Sequence, residues 1–465
     1  VDSRPPRRVA VIGAGVSGLV AARRLARSGA RVLLLESADR IGGQVESVEV
    51  APGLHLDVGA EALHLAAPGV ADLIEELGLG DTMVRSAPLG SSLLTPRGLR
   101  PLPAGVGPAG PSRLGPVLSS RTLTWTGLAR AGLEPVVART TPPLADDADV
   151  SVGDFVGRRF GTSVVRTFVD PLLGGLHAGD VSRLSLRACA PALVPAATGR
   201  RSLVLRRPPR NGPAPTMSFA TWPEGLSALT SRLVADCPGV EVRTGVTVTS
   251  LAAAPGGGYE VTTEGVRGGA DVVDAVVLAV PAPTTVRLLD TLVPAAGRSL
   301  DPAEAADVAT VLVAVPARAA EAALRGTGML VPAGSGRLLK AATHLTRKWP
   351  HLDTGNDFWL RLSAGRAGEH RACDLGDDQL VAALLSDLRA ITGLGAEPSA
   401  SIVRRWPAAL PQLTVGHVAR LAALRAALPP GVVLAGASYD GLGIASCLRS
   451  GTAAAAALTP SEETA

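Results

Sequence analysis

Apolar and polar positions alternate in two rhythms along the chain, one suited to buried strands and one to amphipathic helices. Val9 to Gly13 is a short unbroken apolar or small-residue run, the pattern of a strand covered on both faces. It breaks into Gly13-Ala14-Gly15-Val16-Ser17-Gly18, after which Leu19, Ala22, Leu25 and Ala26 recur at helical spacing and stop at Ser28-Gly29. A second strand is predicted over Arg31 to Leu35, closed by Glu36. Leu54 to Asp57 reads as a strand running into a glycine turn, and Ala66 to Leu79 as a helix ending at Gly80. Leu93 to Pro103 reads as two short strands about a Pro-Arg-Gly turn.

From Ala104 to Arg210, proline and glycine punctuate helical stretches predicted at Leu114 to Leu133, Val152 to Phe160 and Ser163 to Val169. Asp170 to Asp180 reads as a glycine-rich loop, and Arg201 to Pro215 as a basic, proline-rich connector of mobile character. Phe219 to Leu226 then leads into a helix through Leu233. Val240 to Val248 is predicted as one strand, Tyr259 to Thr263 and Val272 to Val280 as a meander with a return strand. Val308 to Val315, Met329 to Val331, Leu338 to Thr346 and Phe358 to Leu362 are further strands. The run from Val432 predicts a final strand, glycine turn and helix start.

The first glycine run carries chemistry because of where it sits. Between a strand and a helix, Gly13 permits the tight turn, Gly15 lets backbone amides approach a pyrophosphate, and Gly18 lets the helix lie close to the strand. The helix N-terminus adds unpaired amides and a positive dipole end. Glu36, at the end of the next strand, is placed to accept hydrogen bonds from an adenosine ribose. These elements in order predict a dinucleotide site and leave little to a chance glycine-rich turn. His55 and His64 read as structural.

Composition narrows the field. The chain has 465 residues, 46% hydrophobic and 18% charged, which is ample for large cores. Net charge is +4, with basic residues scattered and seldom beside aromatics, so nucleic acid is not expected as a partner. Mild positive charge suits an acidic small molecule or peripheral contact with an anionic membrane surface. Cys189, Cys237, Cys373 and Cys447 lie far apart with no ligand spacing, pointing to a reducing, cytoplasmic setting and no metal site. No signal peptide and no transmembrane helix are predicted.

Gly42-Gly43, just past the second strand, resembles the paired glycines of FAD enzymes of the glutathione-reductase and amine-oxidase type; taken alone it could be only a turn. The segments Thr95-PRGLRPLP, Asp170-PLLGGLHAGD, Gly326-TGMLVP, Arg347-KWP, Arg405-WPAALPQLTVGH and Gly436-ASYDGLGIASC resemble those of the protoporphyrinogen/coproporphyrinogen oxidase family, in its order and over nearly the whole chain. Within it the chain most resembles coproporphyrinogen III oxidases of Gram-positive bacteria and actinobacteria. The resemblance implies an α/β protein: a Rossmann-type FAD-binding domain in three parts (1–90, 216–300 and 406–465), an inserted, mainly helical domain facing substrate or membrane (91–215), and a mixed-sheet substrate domain (301–405).

It further implies oxygen-dependent oxidation of a porphyrinogen by successive hydride transfers to FAD, with release of hydrogen peroxide, in haem biosynthesis, and a ferrochelatase as a pathway partner. By resemblance the FAD contacts are Gly13, Ala14, Gly15, Val16, Ser17, Gly18, Glu36, Ser37, Gln44, Val58, Gly59, Ala60, Glu61, Val246, Trp406, Gly436, Ile444, Ala445 and Ser446. Trp406 also reads as a core aromatic. The flavin does the chemistry, so no catalytic side chain is assigned. Propionates call for cations, for which Lys340, Arg347 and Arg100 are candidates, and carbonyls about Gly174-Gly175 are candidates to receive pyrrole N–H groups.

Two departures stand out. Gln44 occupies a place where family members often carry a longer or basic residue. Ser91-Ser92 falls where some protoporphyrinogen oxidases hold a propionate-binding arginine. Competing readings are a protoporphyrinogen IX oxidase, another flavin amine oxidase or carotenoid desaturase, and a non-catalytic porphyrin carrier that keeps FAD for structure alone. An amine oxidase would carry an aromatic pair, and the C-terminal turn offers only Tyr439.

Overall fold

The glycine-broken strand near the N-terminus becomes the middle of a five-stranded parallel sheet in the computed structural model, which describes residues 7–205, 219–237, 239–266, 268–294 and 305–459. Across the sheet run Val240–Arg243, Arg31–Leu35, Arg8–Ile12, Ala275–Leu278 and Val432–Leu434. Because side chains alternate along a strand, both faces are apolar. Val9, Val11, Val32, Leu34 and Val277 pack under the helices Val16–Arg27, Ser227–Ala235 and Ile444–Leu458. Ala10, Ile12, Leu33, Leu35, Val276 and Leu278 meet an antiparallel meander, Val246–Ala253, Tyr259–Gly265 and Gly269–Val273.

The chain divides into two compact units. The first comprises Val1–Val84, Met217–Glu304 and Ala419–Ala465; the second comprises Arg85–Thr216 and Ala305–Val418. In the second, a seven-stranded sheet runs in the order Ala400–Pro411, Ala305–Pro316, Asp357–Ala364, Ala341–His344, Gly328–Leu330, Ser92–Thr95, Gly98–Pro101. One face, with Val311, Val313, Leu360 and Leu362, is sealed by the helix Asp377–Thr392 through Leu380, Leu384 and Leu388. The helices from Leu114 to Thr198 build a separate apolar core around Phe160, Phe168 and Leu173.

Several expected elements differ, each for a local reason. The hairpin Ser92–Pro101, expected in the helical insert, belongs to the seven-stranded sheet because Ser92 and Leu93 pair in parallel with Met329 and Leu330. The single strand expected from Val240 to Val248 is two, bent at Gly245 (φ 66°), so that one half joins the parallel sheet and the other the meander. The helix expected over Ala66 to Leu79 is confined to Val70–Glu76. The run Leu114 to Leu133 breaks at Arg121, which is left-handed (φ 54°). Most of the expected mobile connector, residues 206–215, lies outside the described residues.

A buried cation ties the first helix to its neighbours. Arg23 is 1% exposed; its guanidinium donates to Asp236 (2.7 Å) and to Glu76 (2.8 Å). The hydrogen bond from Arg23 holds the Glu76 carboxyl below its ordinary value of 4.5, so this stabilisation is full above that pH and is lost as pH falls through the depressed value. Both carboxylates are about a third exposed, which tempers the effect. Arg23→Met should cost about 1–3 kcal/mol at pH 7 in urea unfolding, and the gap from the parent should narrow below pH 4. An unchanged midpoint at pH 7 would show the pair to be energetically silent.

Candidate flavin site

At the turn after the first strand, three glycines do three different things. Gly13 has φ 102°, and a Cβ there would lie 2.5 Å from the carbonyl oxygen of Ala279. A Cβ on Gly18 would collide with the carbonyl oxygen of Gly13. Gly15 differs, since its backbone (φ −70°, ψ 176°) suits any residue and no atom lies within 4 Å of where a Cβ would stand. Protein packing therefore demands glycine at 13 and 18, whereas at 15 it leaves open space against the backbone. The helix Val16–Arg27 begins there with no capping side chain and no acidic residue in its first turn. Its amides and dipole are left to an outside anion, as a pyrophosphate requires.

Glu36 is fixed across this turn. One carboxylate oxygen accepts the Ala14 N–H (2.7 Å), and the other accepts the Ala38 N–H (2.9 Å) and the Ser37 hydroxyl (3.3 Å). Its backbone N–H donates to the Arg243 carbonyl and its own carbonyl accepts from Val246 N–H, both at 2.9 Å. Val246 is thereby brought beside the acid.

Gly42 donates to the Ala14 carbonyl (2.8 Å), and a Cβ on Gly43 would stand 3.1 Å from Cα of Gly15. The paired glycines are thus packed onto the first glycine turn rather than forming a detached bend. Alongside, Ala60 N–H donates to the Gln44 carbonyl (2.9 Å) and Val58 N–H to the Glu46 carbonyl (3.0 Å), so the segment Val58 to Glu61 runs beside Gln44. Sequence reading missed Arg40, which ion-pairs with Glu46 (2.8 Å) and donates to the carbonyls of Gly43 (2.8 Å) and Val45 (3.2 Å). No local motif marks that role.

The C-terminal turn returns to the same place. Gly436, Gly441 and Gly443 have φ of 127°, 102° and 93°, after which the helix Ile444–Leu458 begins. The Ser17 hydroxyl donates to the Cys447 carbonyl (3.0 Å), joining the two helix starts that hold Ile444, Ala445 and Ser446 against the glycine turn. A second missed network fixes the bend: Gly436 N–H donates to the Ser450 hydroxyl (2.8 Å), Ser450 donates to Asp440, and Arg425 grips both Asp440 oxygens (2.8 and 2.9 Å). Tyr439 is 2% exposed, its hydroxyl bonded to Thr285 (2.6 Å) and the Val280 carbonyl (2.9 Å), and burial pushes its pKa up.

The remaining candidates lie in the second unit. Trp406 sits on the strand Ala400–Pro411 rather than in the C-terminal segment, and its indole N–H donates to Thr310 (3.2 Å). Gly174 and Gly175 are helical, which corrects the expected loop. Pro171 lacks an N–H and stands inside a widened, π-helical stretch, Val165–Gly174, that passes directly into Gly175–His177. Their carbonyls accept from Gly179 (3.0 Å) and Ala178 (3.4 Å), which leaves each a second lone pair.

Arg347 donates to the Leu324 carbonyl (2.7 Å) and lies over the Phe358 ring, a packing role. Arg100 is half-buried opposite Leu93. Lys340, a residue type usually at the surface, is only 8% exposed. His177 and Cys189 approach to 4.0 Å, but burial pulls the imidazole down to about 4 and pushes the thiol up to about 12. Burial thus favours the neutral form of both, the opposite of what an activated thiolate pair requires. Among the described residues no group of three or more side chains could hold a metal ion, and no helix is long and apolar enough to cross a membrane.

These features define a flavoprotein of the FAD-binding α/β type. The family model for flavin containing amine oxidoreductases matches residues 16–459, and the chain belongs to that family, with FAD as its cofactor. More narrowly, the chain is 30% identical to the coproporphyrinogen III oxidase of Bacillus subtilis, over 96% of this chain and 97% of that one. It is 34% identical to that of Mycobacterium tuberculosis, over 95% of each. Among solved structures it superposes on a proposed protoporphyrinogen oxidase from Exiguobacterium with TM-score 0.83 and 28% identity, over 97% of this chain and 98% of that one.

The contrast between the glycines is testable. Gly15→Ala should melt within a few degrees of the parent yet bind FAD at least ten-fold more weakly, since the new methyl enters only the open space. Gly18→Ala should fail to give a stable protein. Equal flavin content in Gly15→Ala and the parent, read from absorbance after gel filtration, would mean that the pyrophosphate does not lie there.

Proposed function

We propose that this protein oxidises coproporphyrinogen III to coproporphyrin III in haem biosynthesis, using dioxygen and releasing hydrogen peroxide. The observation that carries the reading is the near full-length similarity to coproporphyrinogen III oxidases from bacilli and actinobacteria, joined to a glycine cradle shaped for FAD. Bound FAD would supply the two-electron acceptor for the three hydride equivalents that a porphyrinogen gives up, with dioxygen as final oxidant. Within the first unit, Glu36 would hold the ribose, while Gly13 to Gly18 and the start of Val16–Arg27 would hold the pyrophosphate. Ser37, Gln44, Val58 to Glu61, Val246, Gly436 and Ile444 to Ser446 would line the rest, and Trp406 is a further candidate by resemblance. Lys340 and Arg100 are the candidates for the substrate's carboxylates.

An electron-rich porphyrinogen needs no general base to activate a nucleophile, in keeping with the neutral, buried state of His177 and Cys189. Against an amine oxidase stands Tyr439, the sole aromatic of the C-terminal turn, which is buried with its hydroxyl engaged. Protoporphyrinogen IX oxidation is the second reading, favoured by the likeness to the Exiguobacterium structure. The cysteines are free, which supports a cytoplasmic setting, and the basic excess supports peripheral rather than inserted membrane contact. A ferrochelatase that uses the product is the proposed partner.

Purified yellow protein given coproporphyrinogen III in air should produce porphyrin fluorescence and about three peroxides per porphyrin, at a kcat/KM at least ten-fold above that for protoporphyrinogen IX. Faster turnover of protoporphyrinogen IX would favour the second reading. A flavin-loaded protein inert towards both would leave the carrier.

A further inference from the structure

The seven-stranded sheet of the second unit is asymmetric. One face is an aliphatic core. The other carries Thr310, Ser363, Thr343, Arg361 and Arg404, all only half-buried; Thr310 faces Ser363 and Arg404 in register, and Arg361 faces Thr343. Immediately before the strand Ala341–His344, Lys340 is pinned by its backbone: its N–H donates to the Ser363 carbonyl (2.8 Å) and its carbonyl accepts from Val331 N–H (2.9 Å). Its side chain is 8% exposed, and no hydrogen bond or ion pair of its ammonium occurs among the described residues.

The charged neighbours that act on Lys340 are Arg361 on the adjacent strand, Arg366 just beyond it, and Glu369 in the following turn. Two are cations and one is an anion. Glu369 also lies 3.8 Å from Arg366, which makes long contacts to the carbonyls of Val331 (3.3 Å) and Arg337 (3.4 Å) and also feels the Asp170 carboxylate. A buried ammonium set among guanidiniums is costly unless an anion joins it.

We propose that Lys340, together with Arg361 and Arg366, forms the seat for one carboxylate of the substrate, so that these three side chains set the preference for a carboxylate-rich tetrapyrrole. The assignment rests on the porphyrinogen reading above. It makes Lys340 a group that is completed by its ligand rather than by the protein. Burial and the two arginines pull the Lys340 pKa down to about 7. An incoming carboxylate reverses that pull, so binding should take up a proton and weaken as pH rises through about 7.

Two measurements on the FAD-loaded full chain test this. In the first, Lys340→Met should raise KM for coproporphyrinogen III at least ten-fold at pH 6.5, with kcat within about three-fold and flavin content unchanged. Lys340→Arg should restore most of the KM and abolish its rise between pH 6 and 8.5. In the second, binding of coproporphyrin III and of its tetramethyl ester is followed by flavin or porphyrin spectra, without turnover. The parent should prefer the tetra-acid, and Lys340→Met should lose that preference.

If the parent oxidises coproporphyrinogen III but Lys340→Met keeps both its KM and its acid-over-ester preference, the seat is elsewhere and the inference falls alone. If the parent oxidises neither porphyrinogen, the function proposed above falls, and acid-over-ester binding still decides this one. Should Lys340→Met fail to fold, Lys340→Arg carries the test, since a flat pH profile requires Lys340 and an unaltered one overturns its role.

Discussion

Backbone meeting backbone with no side chain between is the constraint on which the first unit depends. It occurs where Gly13 faces the Ala279 carbonyl, where Gly18 faces the carbonyl of Gly13, and where Gly451 faces the carbonyl of Ser17. The last places the helix Ile444–Leu458 directly on Val16–Arg27. Each approach is possible only for glycine, and each brings a polar backbone group near another without intervening bulk. Together they fix the direction in which Val16–Arg27 points. Because a helix N-terminus carries its field only over the first turn, that direction decides whether an anion at Gly15 is stabilised. The pairing of Glu36 with Ala14 and the packing of Gly43 on Gly15 then build on a turn already set by sterics.

Much of this was legible along the chain. Val9 to Gly18 announces itself because strand, glycine turn and helix follow one another within a few residues, although the Ala279 carbonyl that demands glycine at 13 lies far along the chain. The paired glycines at 42 and 43 and the C-terminal turn were readable for the same reason. What escaped depends on partners remote in sequence. The arginine clamp on Asp440, the ties from Arg40, and the joining of Ser92–Thr95 to Met329 and Leu330 have no periodic signature. Pro171 misled in another way. Proline usually ends a helix, yet here the helix absorbs it by widening its turn, and Gly174-Gly175 becomes helical instead of a loop. The burial of Lys340 had no signal in the sequence, since lysine is usually a surface residue.

The two units divide the work in kind. The first is dominated at its glycine turns by backbone groups, with amides, carbonyls and glycine geometry meeting one another directly. The second places hydroxyls and guanidiniums on one sheet face and hydrocarbon on the other, so its polar surface is made of side chains.

The order of strands also governs how the chain comes to be folded during synthesis. The second unit is complete once residue 418 has emerged, but the first still lacks the strand Val432–Leu434 and the helix Ile444–Leu458. Until they arrive, Ala275–Leu278 presents an open parallel edge, and the flank of Val16–Arg27 at Ser17 and Val20 lacks the Gly451 surface that covers it. Such an edge invites pairing with other chains. The parallel sheet is therefore closed only by a segment that follows the whole of the second unit in the chain.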